Sequence, residues 1–333
     1  MLDNIKVDGN ITYNVSLSKY SWFQVGGNAQ ILFEPKDLTD LKNFLIQLNG
    51  KFPITVIGGG SNLLIRDGGV DGVVIVLKDT LNTIDLKDNI LEVGCGLLNS
   101  KLYNFAKNNN IGGYEFLGTV PGTLGGAIRG NAGCYGSEIK DLVISVEAID
   151  FNGEIHTFSN EDCNFEYRKN NLPTNLIFTK AFLKADIKKD KEEIEKTFTE
   201  MQEKRMNSQP CGEKTCGSTF KNPVEKPAWK IVQELGYQNK EMNGAKMSEK
   251  HANFMINTGT AKAIDLENLG NLIIKEAQEK QNIKLEWEIK IIGKENVPKE
   301  GALMFCGNHR TYLDPPLIVV TAGRDMRFFA KEE

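Results

Sequence analysis

Two glycine-rich segments carry the residues best suited to bind an anionic ligand. The longer segment, residues 116–133, has six glycines, and Arg129 is its only charged side chain. The shorter segment, residues 58–62, reads Gly-Gly-Gly-Ser-Asn and directly follows the apolar run 54–57. Glycine lets a ligand approach the main chain, and exposed N–H groups without nearby carboxylates favour phosphate groups. Together the two segments predict one bound dinucleotide.

Neither segment has the spacing of the common nucleotide-binding motifs. The shorter one lacks the last glycine of G-x-G-x-x-G, and residues 63–69 indicate a strand and a turn where that motif requires a helix. A G-x-x-x-x-G-K-[ST] motif is missing near both segments. We therefore expect the dinucleotide to be bound by a fold other than the Rossmann fold.

The composition is that of a chain with two or three globular domains. It has 333 residues, 40% of them apolar and 25% charged, with a net charge of −4. The charge argues against nucleic-acid binding, and no apolar run is as long as a membrane span. The first residues do not resemble a signal peptide, and the six cysteines lack a disulfide or metal-binding spacing. We expect a cytoplasmic protein without a metal.

Only three histidines are present, His156, His251 and His309. They limit general-base catalysis by imidazole. None precedes residue 156, so a flavin in the first half of the chain cannot be linked covalently to histidine. A flavin bound there is predicted to be non-covalent.

The hydrophobic pattern predicts an α+β protein with a domain change near residues 207–214. The segment 116–133 is interpreted as a loop. Asp37 and Asp265 are each predicted to cap a helix. The apolar residues of 285–293 alternate, which predicts one strand over this whole segment. Further strands are predicted at 54–57, 73–77, 90–93, 143–149, 154–158 and 176–183.

Four motifs stand in a fixed order and, with Tyr167-Arg168, resemble the UDP-N-acetylenolpyruvoylglucosamine reductase family in its shorter, type II form. The motifs are Gly58-Gly-Gly-Ser-Asn-Leu-Leu, Gly118-Thr-Val-Pro-Gly-Thr-Leu-Gly-Gly-Ala, Gly217-Ser-Thr-Phe-Lys-Asn-Pro and Leu285-Glu-Trp-Glu-Ile. The resemblance covers roughly residues 10–293. It implies a two-lobed FAD-binding domain of the vanillyl-alcohol-oxidase (PCMH) type and a smaller α/β substrate domain. The corresponding boundaries are 1–75 and 76–206 for the lobes and 207–293 for the substrate domain.

The resemblance also implies a reaction and the residues that serve it. NADPH would reduce non-covalent FAD, which would then reduce the enolpyruvyl ether of a UDP-sugar to UDP-N-acetylmuramate for peptidoglycan synthesis. The implied cofactor-binding residues are Gly58, Gly59, Gly60, Ser61, Asn62, Leu63, Gly118, Thr119, Gly122, Thr123, Gly125 and Gly126.

The implied catalytic residues are Arg168, Ser218 and Glu288. Hydride addition builds negative charge on the substrate's carboxylate side, which a fixed guanidinium stabilises, and a proton donor must lie opposite the flavin. Arg168 matches the arginine, Ser218 the proton donor and Glu288 the second carboxylate-side residue. Asn222 is predicted to bind substrate. His251 either touches the nucleotide diphosphate or is a structural histidine, and the second reading is favoured.

Residues 294–333 resemble another family, the 1-acylglycerol-3-phosphate acyltransferases. The spacing of His309 and Asp314 is that of their catalytic pair. The segment is far shorter than such a domain, so it is interpreted as a truncated fragment without activity.

Other functions stay open at this point. A lipid acyltransferase would transfer an acyl group and bind no flavin. An inactive flavin-binding protein would bind flavin without turnover. A flavin oxidase would have no need of a proton donor such as Ser218. The sequence does not indicate an oligomeric state.

Overall fold

The first lobe is a four-stranded sheet with one helix, in a computed structural model that describes Leu2 and residues 5–294. The sheet has the order β1-β2-β5-β3, in which only β1 runs antiparallel to its neighbour. The elements are β1 (Asn10–Ser16), β2 (Asn28–Glu34), α1 (Leu38–Leu48), β3 (Ile54–Ile57), β4 (Leu63–Ile65) and β5 (Val70–Val76). The Asp37 carboxylate accepts from Asp40 N at the start of α1, so the predicted cap is confirmed.

The second lobe is an antiparallel five-stranded sheet covered by helices. Its strand order is β11-β10-β12-β7-β6. The strands are β6 (Ile84–Lys87), β7 (Ile90–Gly94), β8 (Gly133–Cys134), β9 (Ser137–Glu138), β10 (Val143–Asp150), β11 (Ile155–Ser159) and β12 (Leu176–Lys184). The helices are α2 (Asn99–Asn108), α3 (Glu115–Thr119), α4 (Leu124–Arg129), α5 (Asn160–Cys163) and α6 (Lys191–Ser208). Strands β8 and β9 form a separate hairpin.

Residues 209–294 form a third unit around a long helix. Its elements are α7 (Ala228–Glu234), β13 (Glu241–Met242), β14 (Ala245–Met247), β15 (Met255–Asn257), α8 (Ala263–Gln281) and β16 (Lys290–Ile292). Leu266, Leu269 and Ile273 of α8 are fully buried in the core of this unit.

The third unit is attached to the first lobe by main-chain and side-chain contacts. Strand β16 pairs in parallel with β4. The Asp67 carboxylate accepts from Ala263 N and Ile264 N at 3.1 and 3.0 Å, at the start of α8. Arg66 donates to both carboxylate oxygens of Glu267 at 2.9 and 2.7 Å. These contacts fix α8 against the first lobe.

Most predicted strands are confirmed, but three local predictions are wrong. The segment 116–133 contains α3 and α4, because Thr123 caps α4 by accepting from Gly126 N. Asp265 lies in the first turn of α8 and is not the N-cap residue, which is Lys262, although its carboxylate accepts from Lys262 N at 2.9 Å. Of 285–293 only β16 is a strand, because residues 286–288 pair instead with 219–221 through an isolated bridge between Phe220 and Trp287.

The mixed helix and strand content confirms the predicted α+β class. Within the described residues, no helix combines the length and apolar character needed to cross a bilayer.

Candidate active site

The two glycine segments lie against each other. A Cβ atom on Gly59 would lie 2.7 Å from Gly122 Cα, and one on Gly58 would lie 2.4 Å from Thr123 Oγ1. The Ser61 hydroxyl donates to Pro121 O at 3.0 Å. Such close contact between main chains needs glycine, so the two segments form one surface, which we call the glycine cradle (residues 58–62 and 121–123).

Main-chain donors of the glycine cradle point to an anionic ligand. Their N–H groups find no acceptor within the described part of the chain. No Asp or Glu occurs in 54–65 or 116–133. Unpaired N–H groups next to glycine, with no carboxylate among them, fit the pyrophosphate of a dinucleotide. The donors without a partner belong to Gly59, Gly60, Ser61, Asn62, Gly122 and Thr123.

Four of the predicted cofactor residues make contacts inside the protein. A Cβ on Gly118 would meet the rings of Tyr103 and Phe198, so this glycine permits packing of α3 against α2 and α6. Thr119 Oγ1 donates to a main-chain carbonyl at 2.7 Å. Gly125 N donates to a carbonyl at 2.8 Å. Gly126 N donates to the capping threonine of α4, and the cofactor roles of all four stay predictions.

Arg129 is the only charged side chain of the longer segment, and the protein uses it internally. Its guanidinium donates to the carbonyls of Leu172, Pro173 and Leu176 at 2.8–3.3 Å. The guanidinium carbon lies 4.2 Å from the Phe178 ring centre. Arg129 therefore stabilises the second lobe, and main-chain groups are the donors of the glycine cradle.

Arg168 and Glu288 come together as an ion pair between the second lobe and the third unit. Arg168 Nε donates to Glu288 Oε1 at 2.8 Å, and Arg168 Nη2 donates to Gly133 O at 3.1 Å. Burial raises the pKa of the Glu288 carboxyl above its usual value, while Arg168 and Lys221 oppose this rise. Within the described residues the Nη1 group of Arg168 has no hydrogen-bond partner, so it can donate to a bound carboxylate.

Arg168 lies in a tight polar turn and has an unusual backbone conformation. Tyr167 and Arg168 are the central residues of a tight turn closed by hydrogen bonds between Glu166 and Lys169. Arg168 has φ 59°, in the left-handed region that side chains other than glycine rarely adopt. Such backbone strain is typical of functional positions. Here the hydrogen bonds of the guanidinium to Glu288 and Gly133 stabilise the strained conformation.

Ser218 lies in a segment next to Glu288. Residues 218–220 run beside 286–288, where Glu288 N donates to Thr219 O at 2.9 Å. The Ser218 side chain is half-buried, and its hydroxyl makes no hydrogen bond within the described residues. Asn62 Nδ2 donates to Glu288 O at 3.1 Å and links the glycine cradle to the same place. The structure thus brings Arg168 and Glu288 together beside the glycine cradle, and the main-chain segment that carries Ser218 runs next to Glu288.

Asn222 and His251 make structural contacts. Asn222 Oδ1 accepts from Ala228 N at 2.9 Å, at the start of α7. His251 Nδ1 accepts from Asn253 N at 3.2 Å, and burial lowers the pKa of the His251 imidazole. This neutral ring agrees with the structural reading of His251. The substrate contact of Asn222 stays a prediction.

A cleft of about 440 Å³ opens beside Arg168 and was not predicted from the sequence. The β8–β9 hairpin lines it together with Tyr167 and Arg168. Positive φ angles at Tyr135 and Gly136 close this hairpin, so the glycine at 136 was its one sequence signal. Glu138 and Lys140 in its wall form an ion pair at 2.6 Å.

Comparisons with known proteins agree with this fold. The family model described as "FAD binding domain" matches residues 29–159, and the model described as "UDP-N-acetylenolpyruvoylglucosamine reductase, C-terminal domain" matches 209–292. The fold and site therefore define an FAD-dependent oxidoreductase with a separate C-terminal unit, and the predicted cofactor FAD is confirmed.

Similar proteins define the family. UDP-N-acetylenolpyruvoylglucosamine reductases of Rickettsia massiliae and Rickettsia prowazekii are 48% and 46% identical over 86% of this chain and 97% of theirs. The crystal structure of this reductase from Thermus caldophilus matches with a TM-score of 0.73 and 32% identity, over 86% of this chain and 99% of that one. The chain belongs to the UDP-N-acetylenolpyruvoylglucosamine reductase family.

The acyltransferase-like segment lies outside both family models. Both family models end at or before residue 292. Apart from Lys294, residues 294–333 lie outside the described part of the chain.

Proposed function

We propose that the chain reduces the enolpyruvyl ether of UDP-N-acetylglucosamine to UDP-N-acetylmuramate, with FAD bound non-covalently and NADPH as the hydride donor. The observation that carries this proposal is the hydrogen bond from Asn62 of the glycine cradle to Glu288 O. This hydrogen bond joins the glycine cradle to Glu288, and so supports a cofactor site next to the Arg168–Glu288 pair and the Ser218 segment. The five described cysteines are free, which supports the proposed cytoplasmic location.

The chain's own residues supply the polar part of the reaction. FAD bound at the glycine cradle would supply the transfer of a hydride from NADPH to the methylene carbon of the substrate double bond. Arg168 binds the substrate carboxylate and stabilises the negative charge that develops on it. The Ser218 hydroxyl gives its proton to the other carbon of the double bond, so the enol ether becomes a saturated ether. Glu288 fixes the orientation of Arg168.

An anaerobic experiment with the flavin-loaded chain tests the two half-reactions separately. NADPH should bleach the visible flavin band, and the enolpyruvyl substrate should restore it with formation of UDP-N-acetylmuramate. Ser218→Ala should leave bleaching within about threefold and slow the return by about 10²–10⁴-fold, the usual contribution of a positioned acid.

Ser208→Ala is the matched control, because Ser208 is an exposed serine at the end of α6. A band that never returns in the unmodified chain would overturn the proposed reaction. Normal half-reactions in Ser218→Ala would overturn the role of Ser218.

A further inference from the structure

A buried asparagine holds the main chain next to Ser218 at two points. Asn253 is 3% exposed. Its Oδ1 accepts from Phe220 N at 3.0 Å, and its Nδ2 donates to Phe220 O at 2.8 Å. A carboxamide offers both a donor and an acceptor, so it can pair with both main-chain groups of one residue at once. The contact spans 33 positions of the sequence.

The main chain around Asn253 extends this contact to the two residues that precede Phe220. Asn253 O accepts from Thr219 N at 2.7 Å. Phe254 forms an isolated antiparallel bridge with Ser218. On the opposite side, Thr219 O accepts from Glu288 N. The segment 218–220 therefore lies between the turn 248–254 and the segment 286–288, and Asn253 fixes it on the side of the turn.

We propose that Asn253 is a positioning residue for the proton transfer, and this inference rests on the proposed function above. The side chains of an extended segment alternate between its two faces, so a shift of one residue would move Ser218 away from the face it now occupies. The same shift would displace the hydrogen bond to Glu288 N, and with it the carboxylate that holds Arg168. Asn253 thus sets both the proton donor and the charge-stabilising arginine through one main-chain segment.

His251 supports this arrangement from behind. Its Nδ1 accepts from Asn253 N, and its ring packs edge-on against Phe254 at 4.8 Å between ring centres. A neutral ring is needed for that acceptor role, which agrees with the lowered pKa of His251. The turn 248–254 is therefore held in shape by its own residues.

The test compares Asn253→Ala and Asn253→Asp with Asn257→Ala in the flavin-loaded full chain. Asn257 is a matched control because it is 4% exposed, belongs to the same unit, and hydrogen-bonds Phe23 O and Gly259 N at 2.7 and 2.8 Å. Asn253→Asp keeps the size and the acceptor and serves if the alanine variant does not fold. We expect bleaching by NADPH within about threefold in all variants, and reoxidation by the enolpyruvyl substrate about 10²-fold slower in the Asn253 variants alone.

The outcomes separate this inference from the proposed function. If the unmodified chain is not reoxidised, the proposed function fails. If it is reoxidised and Ser218→Ala slows that step, but the folded Asn253 variants reoxidise at the normal rate, the positioning role is wrong. The positioning role is also wrong if the Asn253 variants slow bleaching and reoxidation equally. It is likewise wrong if Asn257→Ala slows reoxidation relative to bleaching as much as the Asn253 variants do, because a purely structural role predicts either result.

Discussion

Arg168 and Glu288 are brought together from positions 120 residues apart, and each is largely withdrawn from water, with side-chain exposures of 25% and 16%. Removing two charges from water is costly, so a pair of this kind is a weak source of stability. Its value lies in orientation, because the pair leaves part of the guanidinium available to a substrate carboxylate. The pair is therefore expected to affect the reaction more than the fold.

The raised pKa of Glu288 gives a pH prediction. As the pH falls through this raised pKa, Glu288 becomes protonated and no longer holds Arg168 by charge. We expect the rate of flavin reoxidation to fall on the acid side, with an apparent pKa above that of an ordinary glutamate. Glu288→Gln should remove this acid limb and be slower across the range, which stopped-flow reoxidation from pH 5 to 8 measures.

The same group contributes to stability with a defined sign. The folded-state pKa of Glu288 is raised, so the folded chain binds its proton at a higher pH than the unfolded chain does. The contribution is present below the ordinary pKa and is lost as the pH rises towards the raised value. For the pH profile of flavin reoxidation, Glu286→Gln is the control, since Lys221 lowers the pKa of the Glu286 carboxyl. An acid limb that persists in Glu288→Gln would contradict the assignment.

The sequence predicts Arg168, Ser218 and Glu288 because short motifs surround them. It could not reach Asn253, whose role depends on contacts with residues 33 positions away. It also missed the turn that places Arg168 at φ 59°, since nothing in Glu-Tyr-Arg-Lys calls for a left-handed residue. Motifs identify the residues of a site, while the groups that orient them are fixed by tertiary contacts.

At the scale of elements, the glycine cradle depends on glycine at specific places. Gly122 has φ 112°, and a Cβ there would lie 2.8 Å from Ser61 Oγ. Gly122→Ala therefore adds strain of about 1–3 kcal/mol at the surface proposed to bind the pyrophosphate. We expect FAD to bind about tenfold more weakly or worse. Fluorescence titration of the apoprotein with FAD measures this loss.

Gly50→Ala is a control that separates strain from position. Gly50 also has a positive φ, 66°, but a Cβ there would have no neighbour within 4 Å. It lies past the end of α1, so its variant should lose stability and keep its affinity for FAD. Equal FAD affinity in both variants would show that the glycine cradle does not hold the cofactor.

Elements with local signals were predicted well, and those shaped by distant contacts were not. The strands β3, β10 and β12 have continuous apolar or alternating patterns and lie where predicted. The start of α8 was misplaced because its first N–H groups bond to Asp67 of the first lobe. No pattern inside 263–281 could indicate a cap that comes from almost 200 residues away.

At the scale of the whole molecule, the proposed active site joins all three parts of the chain. The first lobe supplies Asn62, the second supplies Arg168, and the third unit supplies Ser218 and Glu288. The attachment of α8 to the first lobe therefore decides where Glu288 lies, because α8 and β16 flank it in the chain. A shift of α8 against the first lobe would therefore displace Glu288 even if no residue of the site were changed.

Asp67→Ala tests this dependence. It removes the two hydrogen bonds at the start of α8 and should lower the free energy of unfolding by about 0.5–2 kcal/mol, as the loss of a helix cap does. Because the third unit carries Glu288, reoxidation by the substrate should also slow severalfold. Asp37→Ala removes a cap within the first lobe and should cost similar stability without slowing reoxidation. Denaturant unfolding and stopped-flow reoxidation measure both quantities, and equal reoxidation rates in the two variants would mean that the docking of α8 does not control the site.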